Sequence, residues 1–125
     1  MWKNIDGKLY HITDDSRVKF RTNISKQILD QLSDLAYKYD THINYLIENG
    51  LENLLENNFI IYNKETRPKD RVQYKTTYDK ELLNKVREFA QQHDLFINDV
   101  IEYSVRMIDI DTAKNKNHKH RVEKL

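Results

Sequence analysis

Laid over itself at an offset of 54 residues, the chain repeats. RVKFRTNISKQILDQLSDLAYKYDTHINYLIENGLENL from Arg17 lies on RVQYKTTYDKELLNKVREFAQQHDLFINDVIEYSVRMI from Arg71 without a gap, and 11 of the 38 pairs are identical. The identities include Arg17/Arg71, Thr22/Thr76, Ala36/Ala90, Asp40/Asp94, Asn44/Asn98 and Glu48/Glu102. Most other pairs keep their character, as Phe20/Tyr74, Arg21/Lys75 and Leu46/Val100 do. Chance matches do not hold an apolar pattern in phase over this length, so the chain reads as a tandem duplication. The period exceeds that of the common solenoids and there are two copies, which suits a pseudo-dimer. Units this small cannot each bury a large core, so the two copies are expected to share one.

Each copy opens on an alternating stretch. Val18, Phe20, Thr22 and Ile24 alternate with Arg17, Lys19, Arg21 and Asn23; Val72, Tyr74, Thr76 and Tyr78 alternate with Arg71, Gln73, Lys75 and Thr77. Period two with β-branched and aromatic residues predicts a strand with one mostly apolar and one polar, basic face. Ser25 or Asp79 then supplies an N-cap side chain. Ile28, Leu32, Leu35, Ala36 and Tyr39, matched by Leu82, Val86, Phe89, Ala90 and His93, form the buried stripe of a first helix. Asp40 and Asp94 mark a turn, since Asp tolerates left-handed backbone. A second helix is expected from about His42 to Asn57, and again from about Phe96 to Ile110, with Gly50 and Ser104 as small residues for close packing.

A lone strand leaves its backbone groups unpaired. Two copies remedy this if strand 17–24 pairs antiparallel with strand 71–78 above four helices. Lys19, Arg21, Asn23, Gln73, Lys75 and Thr77 would then project together from the opposite face.

The pattern resembles the ribbon-helix-helix superfamily of DNA-binding proteins, the Arc/MetJ type. The residues that carry the resemblance are RVKFRTNIS, Ala36, Tyr39-Asp40 and Ile43…Ile47, then RVQYKTTYD, Ala90, His93-Asp94 and Ile97…Ile101. It covers residues 17–55 and 71–109. It implies a mainly α fold with a two-stranded antiparallel ribbon, a tandem pseudo-dimer in one chain where the family pairs two. It implies insertion of that ribbon into the major groove of double-stranded DNA. Base reading falls by resemblance on Lys19, Arg21, Asn23, Gln73, Lys75 and Thr77. Phosphate anchoring falls on the start of the second helix, at Thr41, His42, Asn44 and Asn98. Arg17 and Arg71 either contact phosphate or flank the ribbon. His42 and Phe96 depart from the family's usual Ser or Thr cap, and Asp40 and Asp94 from its usual Gly or Asn.

The expected organisation is an N-terminal extension 1–16 with a small hairpin about Asp6-Gly7, copies at 17–57 and 71–112, a linker 58–70, and a basic, disordered tail 113–125. Net charge is only +1, so contact with nucleic acid has to come from local placement. The last twelve residues carry five Lys/Arg and one Glu, a basic arm; the His118-Lys119-His120 run within it reads as solvated rather than metal-binding. Without cysteine, disulfides and thiolate chemistry are excluded. No apolar run approaches the ~20 residues of a membrane span, and no nucleophile or phosphate-loop motif is present, so no enzyme activity, cofactor or metal is expected. The chain reads as a cytoplasmic, nucleoid-associated transcriptional regulator of prokaryotic or phage type, with itself or a regulatory protein as further partner. The alternative is a protein-interaction module of antitoxin or anti-regulator type on the same fold.

Overall fold

The computed structural model describes residues 2–5, 8–11 and 16–113. Strands β1 (Trp2–Ile5) and β2 (Lys8–His11) pair antiparallel, Trp2 opposite His11 and Ile5 opposite Lys8, the pairing expected of the hairpin; its Asp6-Gly7 turn and the tail 114–125 lie outside the described residues. The rest is mainly helical around a second antiparallel sheet of two strands, β3 (Arg17–Ser25) and β4 (Arg71–Asp79). The register runs from Arg17 opposite Asp79 to Ser25 opposite Arg71. It sets Arg21 opposite Lys75, residues that are equivalent at the offset of 54, so the pairing is symmetric about that point.

Alternation decides the faces. Val18, Phe20, Thr22 and Ile24, with Tyr74, Thr76 and Tyr78, are half-buried or buried, whereas Lys19, Arg21, Asn23, Gln73 and Lys75 are exposed. Val72, expected inward, is 41% exposed beside the strand's first residue.

Each strand runs directly into a helix. Ser25 Oγ accepts from the Ile28 N–H at the start of α1 (Lys26–Lys38), and Asp79 does the same for Leu82 at the start of α3 (Lys80–Gln92). These bonds satisfy donors that a helix start otherwise leaves unpaired. Both helices end alike. Asp40 (φ 52°) and Asp94 (φ 54°) take the left-handed conformation. The following N–H groups reach back, Thr41 to Ala36 O at 2.9 Å and Leu95 to Ala90 O at 2.8 Å, closing a Schellman motif.

The second helices are α2 (Ile43–Asn57) and α4 (Ile97–Ser104). Here the copies diverge from expectation: α4 stops short of Ile110, passes through a 3₁₀ turn at Val105–Met107, and is extended at Ile108. The cause lies on α2. Asn53 Nδ2 donates to Met107 O at 2.8 Å and Asn49 Oδ1 accepts from Asp109 N–H at 2.8 Å. The counterparts of Asn49 and Asn53 at the offset are Tyr103 and Met107, which carry no amide to do this in return. Ala113, assigned to the tail, is instead 2% exposed in a last helical turn over 110–113.

One core serves both copies. Ile24, Leu32, Leu46, Ile47, Leu51 and Leu54 from the first meet Tyr78, Leu83, Val86, Val100 and Ile101 from the second. α2 and α4 approach closely at Gly50, where an added Cβ would stand 2.3 Å from Ser104 O.

The linker is no loose tether. It holds a 3₁₀ turn at Lys64–Thr66. Arg67 bonds Asp99, with Nη2 to Oδ2 at 2.8 Å, and its guanidinium lies 4.5 Å from the Phe96 ring centroid. Asp70 caps α1, its side chain accepting from Gln27 N–H at 3.0 Å and its carbonyl from Lys26 N–H at 3.0 Å.

Candidate nucleic-acid interface

The sheet face turned away from the helices carries Lys19, Arg21 and Lys75 with the amides of Asn23 and Gln73, all exposed. Arg21 and Lys75 stand directly opposite each other at its centre, with Lys19 opposite Thr77 and Asn23 opposite Gln73. Like charges facing each other across strands destabilise a sheet. With the Gln73 amide oxygen turned toward Arg21, it accepts from Nε and Nη1, both at 3.0 Å. That contact engages the guanidinium through two of its nitrogens. Thr77 is the exception among the six expected reading residues. It is half-buried, because Arg17 bends over it, Nε donating to Thr77 Oγ1 at 3.3 Å and Nη2 to Thr77 O at 3.0 Å.

Arg17 and Arg71, read as either phosphate contacts or flanks of the ribbon, are both engaged within the fold. Each guanidinium turns to a carboxylate buried on the second helix of its own copy, Arg17 to Glu48 and Arg71 to Glu102, the latter at 2.5 Å. Glu48 is 1% and Glu102 6% exposed. A carboxylate in such surroundings requires a partner. Hydrogen bonds donated to Glu102 and then to Asp99 raise the Arg71 pKa further above its ordinary value, against the opposing effect of burial. Strand alternation puts Arg17 and Arg71 on the outward side, but an arginine side chain is long enough to turn back at a sheet's end. The signal available in the sequence was paired identity: Arg17/Arg71 and Glu48/Glu102 are unchanged between copies, opposite in charge, and 31 residues apart in each.

The starts of α2 and α4 sit at the two sides of the sheet, held there reciprocally. Asn44 Nδ2 donates to Thr77 O at 3.5 Å, and Asn98 Nδ2 donates to Asn23 O at 3.2 Å. Each second helix is thereby tied to the other copy's strand, beside its outward residues. Asn44 and Asn98, expected on phosphate, each give one amide N–H to this tie. The two helix starts differ in charge. At α2, His42 is the exposed N-cap and makes no side-chain cap bond, and no acidic residue lies in the first turn. The Thr41 hydroxyl there is buried without a partner. At α4, Asp99 accepts from the Phe96 N–H at 2.9 Å, so a carboxylate already occupies the positive end of the helix dipole. Burial pushes the Asp99 carboxyl up, but hydrogen bonds from Arg67, Arg71, Phe96 N–H and Tyr62 outweigh it and hold it well below the usual carboxylate range.

Among the described residues no helix is long and apolar enough to cross a membrane, and no group of three or more His, Cys, Asp or Glu is placed to hold a metal ion. The chain matches no family model, no curated protein and no solved structure.

Proposed function

We propose that the chain is a sequence-specific double-stranded DNA-binding protein, a tandem ribbon-helix-helix pseudo-dimer that inserts β3 and β4 into the major groove as a prokaryotic or phage transcriptional regulator working in the cytoplasm at the nucleoid. The observation that carries the reading is the opposition of Arg21 and Lys75 on an exposed face. The arrangement costs the isolated fold stability and is relieved by a polyanion. The major groove, about 12 Å wide, admits a two-stranded ribbon, and Arg or Lys suits guanine O6/N7 as Asn or Gln suits adenine. Lys19, Arg21, Asn23, Gln73 and Lys75 are the readers, with Thr77 steadied by Arg17. Because Lys19/Gln73, Arg21/Lys75 and Asn23/Thr77 differ, the two half-sites are unlike. The open start of α2, at Thr41 and His42, takes the backbone phosphate; the start of α4, with Asp99 in place, takes it less well. No catalytic step, cofactor or metal enters the reading.

The test is selection of bound duplexes from a random library, then anisotropy titration. Arg21→Ala with Lys75→Ala is expected to abolish discrimination between selected and scrambled duplexes while the circular dichroism spectrum stays the same. Discrimination undiminished in that double variant would refute the reading.

A protein-interaction role of antitoxin or anti-regulator type is favoured by the exposed Phe59, Ile61 and Phe96, 58%, 71% and 61% exposed. Salt separates the two readings. Phosphate binding weakens steeply as salt is added, and contacts through these side chains do not.

A further inference from the structure

The helices form two grooves related by the offset of 54. One, of about 270 Å³, lies between α1 and α4, with Ile28 on one wall and Glu102, Tyr103 and Arg106 on the other. The linker passes over it, contributing Ile61, Tyr62, Thr66 and Pro68. Tyr62 is fastened there by its hydroxyl, which donates to Asp99 Oδ1 at 2.9 Å. The other groove, of about 480 Å³, lies between α2 and α3. Adding 54 to Ile28 gives Leu82, and subtracting it from Arg106 gives Glu52; both line this second groove. Leu55 and Leu82 form its apolar part, and Glu52, Glu56, Asp79 and Glu81 surround it, with Lys85 the single cation among the described residues that line it. Among the described residues that line it none comes from a connecting segment. Among the described residues, the same kind of surface is thus covered by a connecting segment in one copy and not in the other.

We propose that the groove between α2 and α3 is the docking site of the chain's own C-terminal segment, residues 114–125. Three observations converge on this occupant. The first is position in the repeat: residues 61–68, which cover the first groove, correspond at the offset to residues 115–122. The second is charge. The groove has four carboxylates and one lysine, or −3, and residues 114–125 have five Lys/Arg and one Glu, or +4. The third is reach. Ala113, 2% exposed, anchors the start of the segment in the core. Twelve further residues span up to about 40 Å, more than the breadth of a domain this small. The linker grips its groove through Tyr62, Arg67 and apolar contact; the tail, poor in apolar residues, grips through Lys116, Lys119 and Arg121. Such a clasp is electrostatic and therefore sensitive to salt. The inference does not depend on DNA binding, but it gives the basic arm a site on the protein itself, from which a stronger polyanion would draw it.

Limited tryptic cleavage at Lys116, Lys119 and Arg121 in the intact chain tests the proposal. Docking predicts cleavage about tenfold slower at low salt than at 1 M salt, because cleavage follows the open fraction; a short peptide of the same sequence, cut alongside, corrects for the effect of salt on the enzyme. Glu56→Lys with Glu81→Lys, both exposed positions on the groove wall, removes the protection, with circular dichroism confirming the fold. Adding Lys119→Glu, Arg121→Glu and Lys124→Glu, which brings the segment to −2 against a groove then at +1, leaves Lys116 as the cleavage reporter and restores its protection. Salt-independent cleavage at the peptide's rate in the intact protein overturns the proposal. So does protection unchanged by the groove substitutions. Slow hydrogen exchange at the groove that survives tail charge reversal assigns the groove to another occupant and overturns it equally.

Discussion

Replacing Gly50 by Ala sets two effects of known sign against each other. In a helix interior Ala is favoured over Gly by roughly 1 kcal/mol, so α2 taken alone is stabilised. The tertiary structure opposes this. A Cβ at Gly50 lies 2.3 Å from Ser104 O and 3.0 Å from both Ser104 C and Ile108 Cγ1, where real Cβ atoms approach no closer than 3.0 Å. The helices must therefore separate by about 0.7 Å, the difference of those two figures. A gap of 0.5–1 Å forfeits a quarter to a half of the dispersion well of each contact it opens. Overpacking of a well-filled core costs ~1–3 kcal/mol. The upper end applies, because the obstacle is a backbone carbonyl that has no rotamer to yield. Subtracting the propensity gain leaves a net loss of about 2 kcal/mol, or roughly 8 °C in Tm for a chain of this size. Urea denaturation followed by circular dichroism measures it as a lower midpoint at unchanged slope. Since the clash is with the carbonyl and not the hydroxyl, Ser104→Gly does not rescue Gly50→Ala. A Gly50→Ala protein as stable as the parent, or more so, would refute the close crossing of α2 and α4.

Other consequences follow from the buried polar groups. Glu48→Ala strands Arg17 beside the core and is expected to cost about 3–5 kcal/mol, whereas Arg17→Met with Glu48→Leu restores most of it; urea midpoints of the three variants decide. Asp99 has a folded-state pKa below its unfolded value of about 3.9, so its contribution is fully present above that value and is lost as pH falls through the lower, folded one. The stability difference between the parent and Asp99→Asn should accordingly be constant near neutrality and shrink below about pH 4, as acid titrations of urea stability would show. The Tyr78 hydroxyl is buried without a partner, and burial raises its pKa; Tyr78→Phe is expected to raise stability by about 1 kcal/mol, and an unchanged or lower thermal midpoint would contradict that.

Local periodicity carried much of the architecture. Period two from Arg17 and from Arg71 specified both strands, and their pairing followed from the need of each for a partner. The stripe from Ile28 to Tyr39, the caps Ser25 and Asp79, and the turns at Asp40 and Asp94 were likewise legible, because each depends on residues within one or two turns of helix. The five exposed residues of the sheet face were found in the same way. What the sequence left open are matters settled by groups distant along the chain. Arg17 and Arg71 read as outward cations, and only the positions of Glu48 and Glu102 turn them back. Asn44 and Asn98 read as anion contacts, and only the other copy's strand claims them. Residues 58–70 read as a plain linker because nothing local shows that Asp99 will accept from Arg67. The helix from Phe96 falls short of Ile110 because Asn49 and Asn53 bond Met107 and Asp109. A repeat determines, residue by residue, what each copy can form alone; which side chains are consumed in joining the copies is decided where two segments meet, and that depends on both.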